Sequence, residues 1–179
     1  IVTQASLVHR LKTSSGQRAT GEGVVVAVLD FGVYPHPFYV RNSYDLHIEA
    51  AEDVTSPATD DTEGHGTMHT VSVFSCAPDA TVYAIKMGES PSLPFDLARS
   101  VSAKVITSTY AWNLSGHVEL SDDQLIMRVL LLDLLADGRT LVLSGGNTGF
   151  IAFPAMMPEV IAVGGASVDS HENISAWED

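Results

Sequence analysis

Apolar and β-branched residues fall along this chain in short unbroken runs rather than in strict alternation. "VVVAVLD" (24–30), "TVYAIKM" (81–87), "KVITSTY" (104–110), "TLVLSGG" (140–146) and "VIAVGGA" (160–166) each have the pattern of a strand buried on both faces. Between some of them the period becomes helical. "LPFDLARSVSA" (93–103) carries Pro94 and Asp96 in its first turn. "SDDQLIMRVLLLDLLADG" (121–138) opens with Ser121 and Gln124 at the spacing of a capping box and stops at Gly138, a natural residue just past a helix end. Buried strands alternating with helices predict an α/β fold of three layers, with a mostly parallel sheet of about five strands and helices on both faces. Its crossovers are expected to be right-handed. With no internal repeat and no break in composition, one domain over 1–179 is expected.

The segment from Phe31 to Gly64 departs from that pattern. It is long, rich in Pro, Asp and Thr, and carries His36 and His47. A connection of this length inside a domain is expected to hold functional parts or short elements of its own. In a parallel α/β sheet, working residues gather at the carboxyl ends of the strands. Asp30 closes the first run, Thr109 and Tyr110 close the third, and Asn147 follows the fourth. His65 stands at the start of the helical stretch "HGTMHTVSVF". An acid, an imidazole and an amide are thus predicted to converge on one edge.

Composition narrows the chemistry. Lys and Arg number 9 against 22 Asp and Glu, a formal net charge of −13. Phosphate binding needs a basic face, so no nucleic-acid partner is expected. Cys76 is the only cysteine, which precludes a disulfide within the chain, and it is read as a packed hydrophobe rather than a nucleophile. The run nearest to a membrane span, "LIMRVLLLDLLA", is interrupted by Arg128 and Asp133. No membrane partner and no signal peptide are expected within the chain. It opens at Ile1 rather than Met and is expected to be a piece of a longer product.

Four chemistries compete for the strand-end residues. A nucleotide site lacks its loops: no G-x-G-x-x-G follows the first strand, and no G-K-[ST] occurs. A metal site has in its favour His65 and His69 four residues apart, near Asp60, Asp61 and Glu63. Zinc peptidases with that spacing place a Glu directly after the first His, and here that position is Gly66. For Asp30 or His65 taken alone, a turn cap or a satisfied polar residue is an adequate account. Acyl transfer by a serine nucleophile uses all the parts together. Its imidazole must take a proton and return it to the leaving amine, which calls for open space, and Gly64 and Gly66 flank His65. Asp30 is then the carboxylate that holds the ring in one tautomer, and the Asn147 amide is the donor to the oxyanion.

Five stretches carry a family resemblance in register: "GEGVVVAVLDFGV", "GHGT", "APDATVYAIKM", "LVLSGGNTG" and "FPAMMPEVIAVGGA". From about Gly21 onward the chain resembles the N-terminal two-thirds of the catalytic domain of subtilisin-like serine peptidases, the subtilases. The resemblance implies a subtilisin-like fold and hydrolysis of peptide bonds in peptides or proteins. It gives Asp30 the orienting role, His65 rather than His69 the general base and then acid, and Asn147 a place in the oxyanion hole. It also places Thr109, Tyr110 and Ala111 on an edge that pairs with the substrate backbone, where an ordinary strand end is the alternative. No cofactor is implied.

Several positions depart from the family. Phe31 follows Asp30 where a Ser or Thr is usual, so one hydroxyl beside the carboxylate is absent. Met68, His69, Thr70 and Val71 follow "HGT" in place of His-Val-Ala-Gly. Phe38 stands where many members have an Asp of a structural calcium site, so that site is expected to be lost and no metal is expected. None of the serines has the neighbours of the family's nucleophile. That Ser is expected beyond residue 179 or on a companion fragment. The rival reading is a catalytically inactive pseudopeptidase that binds a peptide or partner. A small-molecule-binding module would need a loop that is absent. Precursor trimming and general degradation both remain open, and export is suspected only through the resemblance.

Overall fold

The computed structural model describes residues 12–114, 119–146, 152–168 and 174–177. The chain divides into two compact units, Ile1–Lys104 and Val105–Asp179. In the first, strands β1 (Val25–Asp30), β2 (Asp45–Ala50) and β3 (Thr81–Lys86) lie in the order β2-β3-β1, and both pairings are parallel. The register runs from Val25 opposite Thr81 to Asp30 opposite Lys86. Every residue from Val26 to Asp30 is buried, so both faces of β1 are covered, which accounts for its unbroken apolar run.

Helices α1 (Pro37–Arg41), α2 (His65–Cys76) and α3 (Leu93–Ser100) complete this unit. Both α2 and α3 pack on β1 and β3. Gly66, Thr70 and Phe74 form the buried row of α2, each four residues from the last, as a helix packed along one stripe requires. Phe74 stacks on Tyr44 with ring centroids 4.3 Å apart and planes 2° from parallel. Tyr39 and Phe38 of α1 join the same cluster, Phe38 meeting Tyr44 edge-on at 5.7 Å.

The segment from Phe31 to Gly64 does hold short elements, namely α1 and β2. The strand pattern missed β2 because Asp45, His47 and Glu49 interrupt its apolar residues. A half-exposed strand tolerates such polar positions. The rest of the segment is tied down by the Lys86 ammonium, which donates to the carbonyls of Pro57 (3.2 Å) and Asp60 (2.8 Å).

In the second unit, β4 (Val105–Ser108), β6 (Thr140–Ser144) and β8 (Ile161–Val163) are parallel in the order β4-β6-β8. Two short antiparallel pairs accompany them: β5 (Trp112–Asn113) with β7 (Ala152–Phe153), and β9 (Ala166–Val168) with β10 (Ile174–Trp177). Helix α4 (Asp122–Ala136) has the expected reciprocal capping box between Ser121 and Gln124. Its C-terminus is followed by Gly138 at φ 76°. Gln124, Met127, Leu131 and Leu134 form its buried stripe. Parallel strands alternating with helices make the fold α/β, as the sequence pattern predicts. Among the described residues no helix is long and apolar enough to cross a membrane.

Candidate active site

Asp30 ends β1 with its side chain only 1% exposed. Its Oδ1 accepts from the Phe31 backbone N–H at 2.9 Å. The chain then turns through Gly32 at φ 132°, where a Cβ would lie 2.3 Å from the Asp60 carbonyl oxygen. Only glycine fits that turn, which sets the carboxylate beside the start of α2.

The residue before α2, Gly64, has φ 73° and no side chain with which to cap the helix. Asp61 does so from three residues upstream. Its Oδ1 accepts from the Gly64 N–H at 3.0 Å and its Oδ2 from the Thr67 N–H at 2.8 Å and from the Thr67 hydroxyl. A carboxylate at a helix N-terminus also meets the positive end of the helix dipole. Thr67 Oγ1 in turn accepts from the Tyr34 N–H at 2.9 Å, and the Tyr39 hydroxyl donates to the Thr67 carbonyl at 3.0 Å. Burial, with the Asp61 charge added, pushes the Tyr39 phenol up to about 12, so it remains a donor.

Gly66 has a different reason from the one its sequence context predicts. A Cβ there would lie 2.0 Å from the Gly32 carbonyl oxygen and 3.1 Å from Asp30 Cβ. Its missing side chain lets the helix press against the turn that carries the carboxylate.

That close approach brings two rings to one acid. His65 Nδ1 lies 2.9 Å from Asp30 Oδ1 and 3.0 Å from Oδ2. His69 Nδ1, one helical turn on, lies 3.0 Å from Oδ2. The two side chains differ in access: His65 is 45% exposed and His69 18%. Burial alone would raise the Asp30 carboxyl, but hydrogen bonds from His69, His65 and the Phe31 N–H outweigh it and the net direction is downward. The hydrogen bond to Asp30 raises His65 above its ordinary value. Partial burial opposes that rise, and the charges of Asp30, Asp61 and Glu63 reinforce it. An ionised carboxylate only accepts, so the His65 proton sits on Nδ1 and the Nε2 lone pair is left for proton transfer.

Thr109, Tyr110 and Ala111 lie just past β4, which ends at Ser108 and not at Tyr110 as the apolar run predicts. Ser108 Oγ accepts from the Tyr110 N–H at 3.2 Å and starts a turn. The Tyr110 ring meets Trp112 edge-on at 4.7 Å, and burial raises its phenol. Asn147 lies outside the described residues. The ring of Phe38, at the position linked to a calcium site, packs in the aromatic cluster with Tyr39 and Tyr44. Among the described residues no group of three or more His, Cys, Asp or Glu could hold a metal ion. The sequence reading weighed His69 only as a metal ligand beside His65 and as the rejected rival base, not as a partner of Asp30. The available signal was its four-residue spacing from His65, which puts both on one helix face.

Fold and pair together define a class: α/β proteins in which a strand-end carboxylate lies against a helix-borne imidazole. The family model described as the Subtilase family matches residues 21–178, and the chain belongs to that family. It is 31% identical over 177 residues to Subtilisin Savinase of Lederbergia lenta, with 88% of this chain and 60% of that protein covered. To an alkaline protease of Alkalihalobacillus alcalophilus it is likewise 31% identical over 177 residues, covering 88% of this chain and 43% of that one. The chain therefore spans 43% to 60% of the length of these relatives. Among solved structures, a lanthipeptide protease matches with a TM-score of 0.68 at 19% identity, over 96% of this chain and 58% of that one. The prenylagaramide maturation protease PagA matches with a TM-score of 0.61 at 18% identity, over 99% and 62%. At these identities the likeness establishes the fold.

Proposed function

We propose that this chain supplies the acid–base half of a subtilase serine endopeptidase. The observation that carries the reading is the contact of His65 Nδ1 with the buried Asp30 carboxylate at 2.9 Å, within the stretch that the family model matches. In the reaction, His65 Nε2 takes the proton of a serine hydroxyl as that oxygen attacks the scissile carbonyl, then returns it to the leaving amine. A water molecule is deprotonated in the same way to release the acyl group. Asp30 stays ionised throughout and stabilises the imidazolium. The Asn147 amide donates to the oxyanion, and the edge at Thr109, Tyr110 and Ala111 pairs with the backbone of a peptide or protein substrate. The serine comes from a downstream segment of the same product or from a companion fragment.

The test uses the full-length protein, assayed for peptide hydrolysis and for labelling by a fluorophosphonate. Wild type is expected to react in both assays, and His65→Ala to lose on the order of 10⁶-fold in kcat. A His65→Ala variant with full activity overturns the assignment. A wild type that binds peptide but neither cuts nor labels overturns it in favour of a pseudopeptidase.

A further inference from the structure

The Asp30 carboxylate is held from two elements besides the ring it orients. The Phe31 N–H, in the turn after β1, donates to Oδ1, and His69, on α2, lies 3.0 Å from Oδ2 through Nδ1. Since the carboxylate is an acceptor only, His69 must carry its proton on Nδ1. His65 Nδ1 is shared between the two oxygens, at 2.9 Å and 3.0 Å, so it alone leaves the carboxylate some rotation about its Cβ–Cγ bond. Gripped at Oδ1 by the Phe31 N–H and at Oδ2 by His69, it has a fixed plane, and that plane sets the direction of the bond to His65. The hydroxyl that the family resemblance would put beside Asp30 is missing, because residue 31 is Phe, an exposed residue. His69 offers the second grip from the opposite side in the chain. It is also the more enclosed of the two rings, 18% exposed against 45%, as suits a residue that acts through another group and not on substrate.

We propose that His69 is a positioning residue: its Nδ1–H locks the plane of the Asp30 carboxylate and thereby aims His65. The proposal rests on the peptidase reading for its consequence in kcat, but the locking can be observed without turnover.

The experiment compares His69→Asn, His69→Gln and His69→Leu in the full-length protein. The amide nitrogen of Asn sits as many bonds from Cα as Nδ1 does, that of Gln sits one bond further, and Leu has no donor. His69→Leu is expected to lower kcat by about 10–100-fold with little change in KM, the size of effect a misaimed catalytic group produces. His69→Asn is expected to restore most of the loss and His69→Gln little of it. In parallel, ¹⁵N-edited NMR follows the His65 Nδ1–H. Its signal should be sharp in wild type and His69→Asn, and exchange-broadened in His69→Leu at temperatures where melting curves show every variant folded.

If His69→Leu does not fold, the Asn and Gln variants decide the matter by the same two readouts. Equal kcat in all variants with an unchanged His65 signal overturns the proposal. So does a loss of kcat that follows melting temperature alone, with the His65 signal intact and no recovery in His69→Asn. A wild type without hydrolytic activity whose His65 signal still depends on residue 69 in the expected order supports the positioning role while the peptidase reading falls.

Discussion

At the scale of single residues, the site is a contest over the ionisation of Asp30 and His65. The hydrogen bonds that His69, His65 and the Phe31 N–H make to Asp30 defeat its burial and keep it ionised, and the ionised acid raises His65. A general base works only when neutral, so the acidic limb of the kcat/KM profile is expected above the ordinary imidazole value of 6.5. Asp30→Asn should bring that limb back down toward the ordinary value. It should also lower kcat on the order of 10⁴-fold, because the amide favours the wrong ring tautomer. A limb that stays in place in the variant would show that Asp30 does not set it. The same shifts bear on stability. The raised His65 contributes fully below 6.5 and its contribution fades as pH rises through the folded-state value. The lowered Asp30 contributes fully above 3.8 and loses its contribution as pH falls through its own folded-state value. Asp30 and His65 were legible in the sequence because strand ends and glycine-flanked positions announce themselves. His69 was not, because a four-residue spacing shows which face a ring is on but not what that face meets.

At the scale of elements, the decisive contact is α2 against the turn after β1. Its closeness depends on Gly66, which a Cβ would drive into the Gly32 carbonyl oxygen at 2.0 Å, whereas nothing lies within 4 Å of a Cβ at Gly64. Gly66→Ala is therefore expected to cost about 1–3 kcal/mol by overpacking. It should also lower kcat by about 10²-fold by displacing His65 from Asp30. Gly64→Ala has room for its methyl group and meets only left-handed strain, about 1–2 kcal/mol. Melting temperatures should thus be similar, while kcat falls much further for Gly66→Ala; equal kcat losses would refute the close-packing account. Strands with both faces covered, such as β1 and β3, could be read directly from their apolar runs. The edge strand β2 could not, since half-exposure lets Asp45, His47 and Glu49 break the pattern. Nor could the end of β4, where the Ser108 hydroxyl turns the chain while the apolar run continues.

At the scale of the whole molecule, the chain carries 22 acidic and 9 basic residues, a formal net charge of −13. It spans 43% to 60% of the relatives it resembles. Peptide mapping of the fluorophosphonate adduct on the full-length protein should therefore find the modified serine outside residues 1–179. An adduct on any serine within them would require a different nucleophile and a different geometry. Asp30 and His69 are 39 residues apart in the chain, with His65 between them, and all three belong to the unit Ile1–Lys104. The cluster of Asp30, His65 and His69 is thus inherited as one short genetic interval. A crossover after codon 104 transfers it whole. One falling between codons 31 and 69 can instead unite a phenylalanine from one parent with a residue 69 that has no donor, removing the contact that His69 makes to Asp30 Oδ2. Chimeras of this protein with its relatives should therefore tolerate breakpoints very unevenly, with the silent ones lying outside that interval.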